Sequence, residues 1–403
     1  MPTLRPQTTG LSIERLRRID EFLDERYVKA GRLPSASLLV ARSGKTVHHA
    51  LHGWADVERN ARVRDNTLYR LHSMTKPLTS VLFMMLVEEG KVALDDPVEV
   101  VLPAWKGLTV AGGGRTERPM QMVDLLRHTS GLTYGLQHRT EVDARYRELG
   151  IGTDTARPLD LAAMVDRLAD APLEFSPGQR WNYSVSTDVL GHVIELIEGQ
   201  PLETVLKARL IDPLGMVDTD FVVPSHKVDR LSACYEQADG DKFKLREDPR
   251  QSPFLKPPAM VSGGGGLVST VPDYLRFCSM LLEGGELHGR RYLSPKTLAL
   301  MIANHLPGGG DLAETSIGLY GDAAHAGVGF GLGFAVLTDP VKALLPSTRG
   351  EYFWGGGAST LFWIDPREEL VVIFMTQLVP PTAYPLWREL RNLVYGALTE
   401  SLA

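Results

Sequence analysis

The strongest constraint on the fold is a pair of strand-forming segments at opposite ends of the chain. Near the N-terminus, Ser37-Leu38-Leu39-Val40-Ala41-Arg42 and Lys45-Thr46-Val47-His48-His49-Ala50 flank Ser43-Gly44. Near the C-terminus, Ser359-Thr360-Leu361-Phe362-Trp363-Ile364 and Leu370-Val371-Val372-Ile373-Phe374-Met375 flank Asp365-Pro366. Runs rich in β-branched and aromatic residues, broken by turn residues, predict antiparallel strand pairs. Helical spacing of Leu11, Ile13, Leu16, Ile19, Phe22 and Leu23 predicts an amphipathic helix over Leu11 to Tyr27. Trp387 to Leu398 reads as a closing helix. The two ends can then share one antiparallel sheet covered by the terminal helices. Between about 91 and 265, helical stretches such as Leu159 to Leu168 and Val189 to Ile197 alternate with Pro/Gly-rich loops. The expected class is α/β (α+β): an antiparallel sheet flanked by N- and C-terminal helices, with a mostly helical insert. The expected division is residues 1–90 and 266–403 for the sheet domain and 91–265 for the insert. Gly308-Gly309-Gly310 onward to Gly327 reads as a long loop that could border a site.

Composition narrows the function classes. The chain has 403 residues, a net charge of −6 and no basic run, which argues against a nucleic-acid partner. Two cysteines are too few for a disulfide framework, and Cys278 lies in an apolar stretch that suits a buried small hydrophobe. The 11 histidines show neither His-Glu-x-x-His nor Cys/His ligand spacing, so no metal and no cofactor are expected. Val81 to Val87 is far too short to span a bilayer, and Met1 to Gln7 lacks a signal-peptide core. A cytoplasmic protein without membrane partners is the expectation; the oligomeric state is not legible.

Three segments could carry chemistry. Ser73-Met74-Thr75-Lys76 opens an apolar run from Leu78 to Val87 that stops at Gly90, which reads as a helix beginning near Ser73. Ser73 and Lys76, at i and i+3, share a helix face. Pro77 falls in the first turn, where a missing N–H costs least. A helix N-terminus stabilises developing negative charge on a serine oxygen, and a lysine with a lowered pKa can take its proton. The plain alternative is an N-cap serine with a solvated lysine. Tyr183-Ser184 follows the turn at Pro177-Gly178 and precedes a helical pattern, so the Tyr183 phenol could relay a proton or simply pack. Trp354-Gly355-Gly356-Gly357 runs toward the strand at Thr360. Its glycines permit close backbone approach, and a strand N–H at Gly357 with that of Ser73 could form an oxyanion hole. The plain alternative there is a bulged edge strand.

Together these segments resemble the serine β-lactamase-like superfamily: class C β-lactamases, DD-peptidases and family VIII carboxylesterases. The pattern is Ser-x-x-Lys, then Tyr-x-Asn or Tyr-Ser-x, then Lys-Thr-Gly or a Trp-Gly-Gly-like substitute. Leu125 to Leu132, Pro213 to Met216 and Gly263 to Thr270 are further family-like stretches. The resemblance implies Ser73 as nucleophile, Lys76 and Tyr183 as base and proton relay, and the Ser73 and Gly357 amides as oxyanion donors. It implies Trp354, Gly355, Gly356 and Val185 as substrate-binding positions. Val185 stands where the pattern has Asn, and Trp354-Gly355 where it has Lys-Thr. Loss of those polar groups resembles the esterase branch, acting on small acyl esters, with β-lactams at most poor substrates. Two other enzyme outcomes stay open: a β-lactamase or DD-peptidase, and an acyltransferase resolving the same acyl-enzyme with an alcohol. A non-catalytic scaffold would predict erosion of the Ser-Lys-Tyr set, which is intact. His72, His128 and His192 leave a Ser-His-Asp triad as a rival reading.

Overall fold

The computed structural model describes residues 9–152 and 159–403; the stretch Met1 to Gln7 lies outside the described residues. Both terminal strand pairs form, and they meet. Strands β1 (Ser35–Arg42), β2 (Lys45–Asp56), β3 (Ala61–Arg62), β4 (Val328–Phe330), β5 (Ala335–Leu337), β6 (Tyr352–Gly355), β7 (Leu361–Asp365) and β8 (Leu370–Met375) build one sheet. It has eight strands in the order β4-β5-β6-β7-β8-β1-β2-β3. Every neighbouring pair is antiparallel, and the chain ends join where Leu39 of β1 pairs with Ile373 of β8. Ser43 and Gly44 both take positive φ, 49° and 71°, as a two-residue hairpin turn of this hand requires.

Alternate residues of each strand feed two cores. Leu39, Ala41, Phe362, Ile364, Ile373 and Met375 enter one; Leu38, Val40, Leu361, Trp363, Val372 and Phe374 enter the other. Burial on both faces explains why these strands are continuous apolar runs. Helices α1 (Ile13–Leu23) and α5 (Leu386–Gly396) close the second core. Ser12 caps α1, its hydroxyl accepting from the Arg15 N–H at 3.3 Å. The helix runs on past Leu23 as a π turn, Asp24–Val28, that keeps Tyr27 buried, so the helical run reaches the end its periodicity suggests.

The first core holds α2 (Thr75–Glu88), α3 (Ser186–Glu198) and α4 (Val271–Leu282). Residues 75–84 of α2 are all buried, so this helix has no solvated face to receive its lysine. Gly90, at φ 69°, lies just past its end.

The stretch 91–265 carries a strand pair beside its helices: Cys234–Ala238 and Lys242–Glu247 form an antiparallel hairpin, joined in parallel by Leu378–Val379. Its second strand, though mostly exposed, carries a short polar/apolar alternation, Lys242-Phe243-Lys244-Leu245-Arg246. The Trp354 strand, β6, is interior, lying between β5 and β7 rather than at an edge. Among the described residues, no helix is long and apolar enough to cross a membrane.

Candidate active site

The site begins where a short strand becomes a helix. Tyr69–Arg70 pairs with Val268–Ser269, and the Leu71 N–H donates to the Leu267 carbonyl at 2.9 Å. His72 then adopts φ 45°, which few side-chain-bearing residues tolerate. The chain turns there into the tight turn His72–Met74 and on into α2. Ser73 is left half-buried at the foot of α2, with Lys76 one turn inside, 2% exposed.

Lys76 Nζ donates to Ser73 Oγ at 3.1 Å and to the Gly264 carbonyl at 2.6 Å. The amine also lies 4.8 Å from the centre of the Tyr183 ring and 5.6 Å from that of Tyr134. Burial pushes its pKa from 10.5 down to about 8, opposed by the charge of Asp188. About a tenth of the amine is therefore neutral at pH 7, 3.1 Å from the Ser73 hydroxyl.

Tyr183 stands on the loop before α3, as its sequence context predicts. Gln137 Nε2 donates to its carbonyl and Asn182 Nδ2 to the Leu132 carbonyl, each at 2.9 Å, tying this loop to residues 132–137. The phenol is buried and has no hydrogen-bond partner among the described residues. Burial holds it protonated, well above the ordinary tyrosine range, although the adjacent Ser73 hydroxyl and Trp354 indole favour its ionisation. Around its ring stand His128 at 5.0 Å, Tyr134 at 5.3 Å, Trp354 at 5.4 Å, Tyr320 at 5.5 Å and Trp181 at 6.1 Å between ring centres.

The glycine run reaches this place from the sheet. A Cβ on Gly356 would fall 2.2 Å from the Leu71 carbonyl oxygen, and one on Gly355 2.5 Å from the Trp387 ring. Only glycine allows β6 to approach the segment before Ser73 so closely. Gly357 lies beyond the end of β6, in the turn leading to β7, rather than on a strand as its sequence suggested. Its N–H enters no hydrogen bond among the described residues. Val185 is buried at the N-terminus of α3, its N–H donated to the Thr133 carbonyl at 3.3 Å.

The histidines do not build a triad among the described hydrogen bonds. His128 Nδ1 meets Ser184 Oγ at 3.2 Å and His192 Nδ1 meets Glu195 at 2.9 Å. Burial pushes His72 down to about 4. Four residues of the site escaped the sequence reading: Tyr134, Asp188, Gly264 and Tyr320. The tetraglycine was visible as a segment, but not its bond to Lys76. The loop before Gly327 does border the site, through Tyr320, whose ring lies 5.4 Å from Trp354.

In this fold a buried lysine in the first turn of a buried helix meets the hydroxyl of the serine before it, beside a two-faced antiparallel sheet. That is the mark of the serine hydrolases of β-lactamase fold. The chain belongs to the Beta-lactamase family, whose match covers residues 18–395. It is 35% identical over 362 residues, 87% of each chain, to Protein Rv1367c of Mycobacterium tuberculosis. Esterase EstB of Burkholderia gladioli is 34% identical, over 94% of this chain and 95% of its own. Among solved structures, "EstCE1, a hydrolase with promiscuous acyltransferase activity" superposes with a TM-score of 0.82 at 29% identity, covering 95% of this chain and 99% of that one.

Proposed function

We propose that this serine hydrolase is a carboxylesterase that cleaves small acyl esters through an acyl-enzyme on Ser73. The observation that carries the reading is the 3.1 Å contact between Ser73 Oγ and the amine of Lys76, whose pKa burial lowers to about 8. Neutral Lys76 takes the serine proton as Oγ attacks the ester carbonyl. The Ser73 and Gly357 amides receive the oxyanion. Tyr183, held protonated by burial, gives its proton to the departing alkoxide and is reprotonated by the Lys76 ammonium. Water attacking the acyl-enzyme returns the free serine and the carboxylic acid. Trp354, Gly355, Gly356 and Val185 line the acyl side with apolar surface.

The similarity to EstB supports the ester as substrate. The similarity to EstCE1 supports a second outcome, in which an alcohol takes the acyl group instead of water. The assignment of residues 91–265 to an insert seated on the sheet domain, and a cytoplasmic location, belong to the same reading. The test is intact-protein mass spectrometry after brief exposure to p-nitrophenyl butyrate. A butyryl adduct on the wild type, absent from Ser73→Ala with unchanged melting temperature, is expected. Wild-type turnover by Ser73→Ala would remove the assignment.

A further inference from the structure

The mechanism above leaves one buried carboxylate beside the site unused. Asp188, in the first turn of α3, is 4% exposed. Its Oδ1 accepts from Ser262 Oγ at 2.5 Å and from the Gly264 N–H at 2.9 Å. The same glycine presents its carbonyl to Lys76 Nζ at 2.6 Å, and the preceding Gly263 carbonyl accepts from Thr79 Oγ1 at 2.8 Å. The turn 262–264 is thus stitched to α3 by a carboxylate and to α2 by a lysine and a threonine. Space enforces the pairing. A Cβ on Gly264 would lie 2.7 Å from Asp188 Oδ2, and one on Gly263 2.9 Å from the Thr187 carbonyl.

We propose that Asp188 is a positioning residue for the acylation step: its carboxylate holds the Ser262–Gly264 turn so that the Gly264 carbonyl aims the Lys76 amine at Ser73. This rests on the reading of Lys76 as the base. The amine has three donor hydrogens when charged and must keep one direction toward Ser73 Oγ. The fixed carbonyl removes its freedom to turn away, and misplacement of a reacting group by about 1 Å can cost about 100-fold in rate.

The carboxylate also sets the pH range in which the amine is neutral. The titratable groups facing Lys76 are Tyr134 and Tyr183, His72 and His128, and Asp188. Burial keeps both tyrosines protonated and both histidines neutral. Asp188 is the nearby charge that opposes desolvation of the ammonium. Without it the lysine would lose its proton at lower pH.

The experiment follows the rate at which a fluorophosphonate labels Ser73, read by intact mass across pH 5–10. In this reaction Oγ bonds to phosphorus, fluoride leaves and the serine proton passes to Lys76, so the readout needs no knowledge of the natural ester. Asp188→Ala should lower the plateau rate by about 10- to 100-fold. Asp188→Asn keeps an accepting oxygen and removes the charge. It should lose less rate than the alanine variant and shift the midpoint of the rising limb down by about one pH unit. Ser262→Ala keeps the charge and removes one donor, so it should lower the rate without moving the midpoint. Wild-type rates and midpoints in both Asp188 variants would overturn the proposal. So would a loss of rate that tracks melting temperature with every midpoint unmoved, which marks a merely structural carboxylate. If Asp188→Ala does not fold, the asparagine and Ser262 variants decide the matter alone. A wild type that does not label at Ser73 sinks the nucleophile reading instead.

Discussion

Tyr183 and Trp354 face each other with ring centres 5.4 Å apart, and neither the phenol oxygen nor the indole nitrogen has a hydrogen-bond partner among the described residues. An unmade bond at a buried polar group costs about 1–3 kcal/mol. Two such groups side by side, next to the Ser73 hydroxyl, are a reserve of donors that a bound ester can use. The predictions below follow from this arrangement and from the burial of Lys76.

The rate should report the lysine. The ester kcat/KM, corrected for spontaneous hydrolysis, is expected to rise with pH around a midpoint near Lys76's pKa of about 8. Lys76→Ala should lower the rate by about 10²–10⁴-fold and remove the limb. A limb near pH 6.5 that survives in Lys76→Ala would hand the base role to a histidine.

Stability should carry a second signature of the same burial. The folded pKa lies near 8 and the unfolded one near 10.5, so between them the unfolded chain holds a proton the folded chain has released. Stability therefore rises across that window, by about 3 kcal/mol in all, and the full desolvation penalty stands below pH 8. Lys76→Met should melt higher than the wild type at pH 7, with the gap narrowing toward pH 10. Calorimetry at both pH values checks this, and a gap independent of pH would contradict it.

Lys76 and Tyr183 should behave as a unit. Tyr183→Phe is expected to cost about 10²–10⁴-fold by itself. The double variant with Lys76→Ala should lose far less than the product of the two losses, because each residue needs the other to move the proton. Strictly multiplicative losses would place them in separate steps.

Substrate choice should follow the missing polar groups. On the proposed reading, a cephalosporin would bring a side-chain amide and a carboxylate to the positions of Val185 and Trp354. Each unpaired buried group costs about 1–3 kcal/mol, and more when charged. p-Nitrophenyl acetate or butyrate should exceed a chromogenic cephalosporin in kcat/KM by at least about 100-fold. A cephalosporin that wins would move the enzyme to the β-lactamase reading.

Tyr320 should limit acyl size. Its φ of 75° is rare for a bulky residue, and its ring packs 5.5 Å from Tyr183 and 5.4 Å from Trp354. Tyr320→Ala should raise the ratio of kcat/KM for p-nitrophenyl octanoate over acetate by about 10-fold or more, within the range set by a few methylenes in an apolar pocket. An unchanged ratio would free Tyr320 of that role.

How much of this was legible beforehand differs by residue. The Ser73–Lys76 pair is a local fact, since an i, i+3 spacing on a helix fixes neighbours within one turn. The apolar run from Leu78 to Val87 behind it is equally local. The paired strands at the two ends, with the turn at Ser43-Gly44, likewise follow from short-range patterning. The hairpin Cys234–Ala238 and Lys242–Glu247 is less legible, because its alternation amounts to Phe243 and Leu245 between charged residues and is too short to stand out.

What only the tertiary structure decided are the encounters between distant segments. Gly264 reaches Lys76 across 188 positions of sequence, and Gly356 lies against Leu71 from the far end of the chain. Tyr134 and Tyr320 join Tyr183 from loops on either side of it. Such contacts depend on how two cores pack against one sheet, and no period in the sequence encodes that distance. The chemistry of each side chain was written locally; which of them share a few ångströms, and so which pKa values move, was set by the packing that brings them together.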